Sequence, residues 1–115
     1  MSENLLVLLR EDPMTTGRPV EGLRIALGLS SGSSALSIVL LGKARTLLTE
    51  DASSVVDADI LENYLPSIQD LKIPFVIPRG SSEEYLVDPE FTVIETSFSK
   101  IQSLLCDAHR VLVLG

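Results

Sequence analysis

Five short runs of residues that are apolar at nearly every position constrain this fold more than any other feature of the sequence. They lie at residues 5–9, 35–41, 73–77, 91–94 and 111–114. Strands that are apolar on both faces are typical of a parallel sheet with helices on its two sides. Between the runs, residues 19–31 and 97–108 show the three-to-four spacing of amphipathic helices. The alternation of strands and helices therefore predicts an α/β fold.

We expect a single domain over residues 1–115, with three layers (α/β/α) around a mostly parallel, five-stranded sheet. With right-handed crossovers, the flavodoxin-like strand order 2-1-3-4-5 is the natural arrangement. The pattern also predicts a short helix over residues 43–49 and a loop over residues 81–89. Pro66 predicts a kink or a fresh helix start.

Polar and glycine residues predict where the helices begin and end. Gly32 suits the end of the first helix. Asp57 or Asp59 can cap the helix before Pro66, and Glu50 and Asp51 are expected to be solvated at helix ends.

Composition and charge exclude several classes of protein. The chain is 45% hydrophobic with a mean hydropathy of +0.32, which indicates a folded protein. Its net charge of −7 and its pI near 4.5 disfavour nucleic acid and anionic membranes as partners. No apolar run approaches the roughly 20 residues that cross a bilayer. The first run lacks preceding basic residues and ends in charge, so it indicates a strand and not a signal peptide. A single cysteine cannot form an internal disulfide, and we expect a cytoplasmic protein.

The sequence predicts no cofactor and no metal. It contains no glycine-rich dinucleotide motif, no phosphate-loop lysine and no cluster of metal ligands.

Ligands of parallel sheets bind beyond the carboxyl ends of the strands, where the strand order reverses. For the order 2-1-3-4-5 this crevice lies between the first and third strands. It would be lined by Asp12 from one loop and by Arg79, Gly80 and Ser81 from the other, which are candidate ligand-binding residues. Polar loop ends of many proteins have the same composition, so a structural role remains open.

Cys106 is the only thiol and the one candidate nucleophile. Helical spacing places it near Gln102, toward the flank or solvent side of the last helix. Beside His109 and Arg110 it could carry a persulfide. The negative end of the helix dipole and the neighbouring Asp107 oppose a thiolate there, which favours a packing role. A structural role is also favoured for His109.

Several segments are similar to the DsrE/DsrF-like sulfur-relay family, which includes the TusB, TusC and TusD type of subunit. Residues 5–41 (LLVLLREDPMTTGRPVEGLRIALGLSSGSSALSIVLL) resemble the family's opening strand, proline-containing loop, helix and second strand. The segment GKARTLL resembles the short helix that follows. LKIPFVIPRGSS resembles the third strand, and CDAHRVLVL resembles the last helical turn and strand.

This resemblance implies a cytoplasmic subunit of a trimer or hexamer, formed with itself or with a cysteine-bearing DsrE-like subunit. Active members carry a persulfide on a cysteine directly after the third strand, where this chain has Pro78 or Arg79. Some members lack this cysteine and are structural partners of active ones. Three hypotheses follow: an accessory subunit without a catalytic cysteine, a sulfurtransferase that uses Cys106, and a small-ligand-binding domain that uses Asp12 and Arg79.

Overall fold

The computed structural model of the chain describes residues 4–30, 35–49 and 55–114. The expectations for Gly32, Glu50 and Asp51 lie outside these residues. The elements, in chain order, are β1 (Asn4–Leu9), α1 (Arg18–Leu29), β2 (Ala35–Leu40), a 3-10 helix (Gly42–Leu48), α2 (Ala58–Leu71), β3 (Phe75–Pro78), α3 (Ser81–Glu84), β4 (Val93–Thr96), α4 (Phe98–Asp107) and β5 (Arg110–Val113).

All strand pairs within the sheet are parallel, and the five strands lie in the order β4-β3-β2-β1-β5. The predicted α/β class and five-stranded parallel sheet are confirmed, whereas the predicted order 2-1-3-4-5 is wrong. In the structure β3 pairs with β2 and not with β1, with Ile38 opposite Phe75.

The burial of β2 gives the physical reason for this order. Ile38, Val39 and Leu40 are fully buried. The predicted order would leave this apolar strand at the edge, with unpaired backbone groups open to association with other chains. The observed edges are instead β4 and β5, which are only four residues long and carry Glu95 and Arg110. Short edge strands with charged residues are the usual protection against such association.

Helices cover both faces of the sheet, but not equally. The main core lies between the sheet and α1 and α2, where alternate residues of each strand point, such as Leu5, Val7 and Leu9 of β1. The other face is covered by α4, whose Ile101 packs against a smaller core. The buried members of that smaller core are Leu6, Val39, Val76 and Ile101.

Local structure differs from the predictions in two helical segments. α2 continues through Pro66 because Leu61 and Ile68, two turns apart, bury the same face against the core. Asp57 precedes α2 in the left-handed conformation (φ 63°) and makes no side-chain capping bond. The predicted loop over residues 81–89 contains the single turn α3.

No helix among residues 4–30, 35–49 and 55–114 is both long enough and apolar enough to cross a bilayer.

Candidate functional site

The loops that follow β1, β2 and β3 meet at the carboxyl edge of the sheet, where parallel sheets hold their ligands. Because β2 lies between β1 and β3, the ends of those two strands are about 10 Å apart. The prediction of a groove directly between the ends of β1 and β3 is therefore wrong. The strand order reverses instead at β1 and β5, and the 3-10 helix after β2 occupies the space between the loops after β1 and β3.

Asp12 stabilises the turn after β1. Its Oδ1 accepts a hydrogen bond from the Met14 amide at 2.9 Å, and its carbonyl accepts from the amides of Thr15 and Thr16 at 3.1 and 3.2 Å. Its Oδ2 lies 3.9 Å from the ammonium of Lys43, on the 3-10 helix. The carboxylate is thus already used within the chain.

Arg45 is the most highly coordinated side chain at this edge. Its Nε donates to the Gly42 carbonyl at 2.7 Å, its Nη1 donates to Ser81 Oγ at 2.9 Å, and its Nη2 lies 3.1 Å from Glu84 Oε2. The guanidinium carbon stands 4.6 Å from the centre of the Tyr85 ring. Arg45 therefore joins the loop after β2 to the loop after β3.

No pattern in the sequence indicated a role for Arg45. It stands 36 residues from Ser81. No local pattern relates two residues at that separation, and only a knowledge that β2 and β3 are neighbours would have paired their loops.

Ser81, a predicted ligand-binding residue, is fully buried. Its hydroxyl donates to the Pro78 carbonyl at 2.6 Å and accepts from Arg45. The structure thus brings Ser81 together with Arg45 and not with Asp12, and the hydroxyl closes the turn after β3.

The same turn holds the carboxylate of Glu95, from β4. The amide and the hydroxyl of Ser82 both donate to Glu95 Oε1, at 2.8 and 2.7 Å. These two hydrogen bonds lower the pKa of Glu95, and the Gly80 amide and the charge of Arg79 lower it further. Gly80 adopts φ 93°, a left-handed conformation that favours glycine. Arg79 is exposed, and its amide donates to the Thr96 carbonyl at 2.8 Å.

Cys106 is exposed in the last turn of α4. α4 leads from the end of β4 back to the start of β5, so it ends at the amino edge of the sheet. Its ten residues span about 15 Å. The thiol and the loops after β1 and β3 are therefore at opposite edges of the sheet.

His109 joins β1 to the approach of β5. Its Nδ1 accepts from the Asn4 amide at 3.0 Å, and its own amide donates to the Asn4 carbonyl at 3.0 Å. This two-point contact agrees with the structural role that was predicted.

The described cavities lie at the amino edge, away from these loops. The larger has a volume of about 370 Å³ between the ends of α1 and α2 and the starts of β2 and β3, and the smaller, about 170 Å³, lies between β1 and α4. Among the described residues, no group of three or more histidine, cysteine and acidic side chains is arranged to hold a metal ion.

Comparison with known proteins gives a match in structure alone. No protein-family model matches the chain, and no curated protein matches it. The crystal structure of the YchN protein from E. coli superposes with a TM-score of 0.75 at 15% sequence identity, over 98% of this chain and 99% of that one. The chain shares its fold with YchN. This likeness supports the α/β fold with a parallel five-stranded sheet that the sequence predicts.

Proposed function

We propose that this chain is an accessory subunit of a cytoplasmic sulfur-transfer assembly, and that it carries no catalytic cysteine. The DsrE-like fold supports the assignment to this kind of system. The observation that carries the non-catalytic role is the chemistry of the turn after β3, where active members hold their persulfide.

In this chain that turn has no thiol and is filled by internal hydrogen bonds. Glu95 takes the hydrogen bonds of Ser82, and Ser81 is buried against Arg45. A sulfur carrier needs an accessible thiolate, and the residues of this turn include no cysteine. The turn therefore suits a structural role.

The face that α4 covers offers a surface for a neighbouring subunit. A five-stranded sheet is about 20 Å wide, whereas one helix covers about 10 Å of it. Ile94 and Phe98 at one side of α4, and Val111 and Val113 at the other, remain 36 to 69% exposed. Exposed apolar side chains of this kind are typical of subunit contacts. The neighbour is a further copy, in a trimer or hexamer, or a cysteine-bearing DsrE-like subunit.

Native mass spectrometry of the assembly purified from its own cells tests the proposal. We expect a complex with a cysteine-bearing subunit or with further copies. After incubation with a persulfide donor, the added sulfur should be on the partner and not on this chain. Cys106→Ser should leave both the stoichiometry and the partner's loading unchanged. A monomeric chain with no partner would contradict the accessory role.

A second candidate function rests on the exposure of Cys106. In this alternative its thiolate attacks the outer sulfur of a donor persulfide, forms a new S–S bond and releases the donor as a thiolate. The same experiment separates the two functions. A mass increase of one sulfur atom on Cys106, lost in Cys106→Ser, would favour this alternative.

The small-ligand hypothesis on Asp12 and Arg79 stays a prediction, with less geometric support because the two residues are at the ends of strands that are not neighbours. It requires a ligand that co-purifies with the chain and is lost on Arg79→Ala.

A further inference from the structure

We propose that Arg45 is the centre of a surface site for a small oxyanion, and that the chain's own Glu84 carboxylate occupies this site. The inference goes beyond the proposed function and is independent of it. It rests on how the guanidinium is held and on what contacts its outermost nitrogen.

Three contacts fix the guanidinium from the protein side. Nε is bonded to the Gly42 carbonyl, Nη1 to the buried Ser81 hydroxyl, and the Tyr85 ring lies against the guanidinium plane. The side chain of Arg45 is only 13% exposed. An arginine that is held in this way has already lost the side-chain freedom that anion binding would otherwise cost.

The remaining nitrogen, Nη2, points to a partner that is easily displaced. Glu84 Oε2 lies 3.1 Å from it, but the Glu84 side chain is 60% exposed and belongs to the last residue of the four-residue α3. Exposed ion pairs of this kind contribute little stability because water and salt compete with them. An oxyanion from solution can therefore replace the carboxylate without disturbing the contacts behind it.

The chemistry of the site selects a carboxylate or phosphate oxygen. A guanidinium N–H donates its strongest hydrogen bonds to ionised oxygens. Other charged groups of these loops already have partners, since Lys43 lies 3.9 Å from the Asp12 carboxylate and Glu95 accepts the two hydrogen bonds of Ser82. Glu84 is thus the group that stands between Arg45 and an incoming anion.

Titration with inorganic phosphate at low ionic strength, followed by NMR of the full chain, tests this inference. Glu84→Gln should bind phosphate about two- to fivefold more tightly than the unaltered chain, which is the strength of an exposed ion pair. Glu83→Gln is the matched control, because it removes the same charge from the adjacent residue, which makes no described ion pair. A parallel titration with acetate distinguishes a phosphate site from a general oxyanion site.

The Arg45 Nε–H resonance reports on the site directly. It should shift on titration of Glu84→Gln, and a second substitution, Arg45→Lys, should abolish the gain in affinity. If the double variant does not fold, the shift of this resonance in Glu84→Gln decides alone. Equal affinities for Glu84→Gln and Glu83→Gln, or shifts that map away from Arg45, would overturn the proposal.

Discussion

Two glycines of α1 should respond in opposite directions to the same substitution. Gly22 faces the sheet, where an added Cβ would overlap with Leu9 Cδ2 and lie 3.3 Å from Leu114 Cβ. Leu9 is fully buried, so its side chain can move aside only by displacing its neighbours in the core. An added Cβ at Gly28 would meet no atom within 4 Å.

The magnitudes follow from two competing effects. Alanine favours a helix over glycine by up to about 1 kcal/mol. Overpacking a well-packed core costs about 1 to 3 kcal/mol. Gly22→Ala should therefore lower the free energy of unfolding by about 1 kcal/mol. Gly28→Ala should raise it by about 0.5 kcal/mol, because the residue lies in the last turn, where the helix preference is only partly expressed.

Urea denaturation followed by far-ultraviolet circular dichroism measures both changes. With a urea dependence of about 1 to 3 kcal/mol per molar, the two midpoints should differ by roughly 0.5 to 1.5 M. A double variant isolates the cause: in a Leu9→Ala background, Gly22→Ala should lose most of its cost. The reasoning is refuted if Gly22→Ala stabilises the chain as much as Gly28→Ala, or if its cost is the same with and without the Leu9 side chain.

Three further substitutions test local features of the fold. Lys72 follows α2 in the left-handed conformation (φ 54°), which a Cβ disfavours. In urea denaturation, Lys72→Gly should raise the free energy of unfolding by about 0.5 to 1 kcal/mol. The control Lys72→Ala keeps the Cβ and should give no increase. Pro66 is exposed inside α2. Pro66→Ala should raise the free energy of unfolding by about 1 to 2 kcal/mol and the thermal midpoint with it. An unchanged midpoint would mean that the proline does not destabilise the helix. The pKa of Glu95 is lowered in the folded state, so its ionised carboxylate stabilises the fold. This stabilisation is fully present above the unfolded pKa of about 4.3 and is lost as the pH falls through the folded pKa. Ser82→Ala removes the hydroxyl that contributes most to this lowering and should therefore flatten the loss of stability below about pH 4. An unchanged pH dependence there would show that the hydroxyl's hydrogen bond does not lower the pKa of Glu95.

The five predicted strands and the two predicted amphipathic helices are present in the structure. The apolar runs became the five strands, within about two residues at each end. α4 forms within the predicted segment 97–108. The Ser97 side chain caps it by accepting a hydrogen bond from the Lys100 amide, and Ile101 faces the core. α2 departed from prediction because tertiary burial of its apolar face outweighed the local effect of Pro66.

The ligand-binding role of Asp12, Arg79, Gly80 and Ser81 stays a prediction, and the structure shows where these residues lie. Gly80 lies in the turn that joins β3 to α3, and Ser81 is the first residue of α3. Their partners, Arg45 and Glu95, were missed. Each comes from a different strand or loop, and its pairing depends on which strands are neighbours. The sequence does carry one relevant signal: β2, which is apolar at every position except Ser37, is poorly suited to an edge.

The class of fold, the parallel sheet and the thiol-free turn after the third strand follow from the amino-acid sequence alone. The first two depend on the alternation of apolar runs and amphipathic segments along the chain, and the third depends on the residues of one short segment. The position of β3 beside β2 and the contacts of Arg45 were decided only in three dimensions. Hydrophobic periodicity shows which residues a strand buries but not which strand will lie beside it, and that choice depends on how the whole sheet covers its apolar strands.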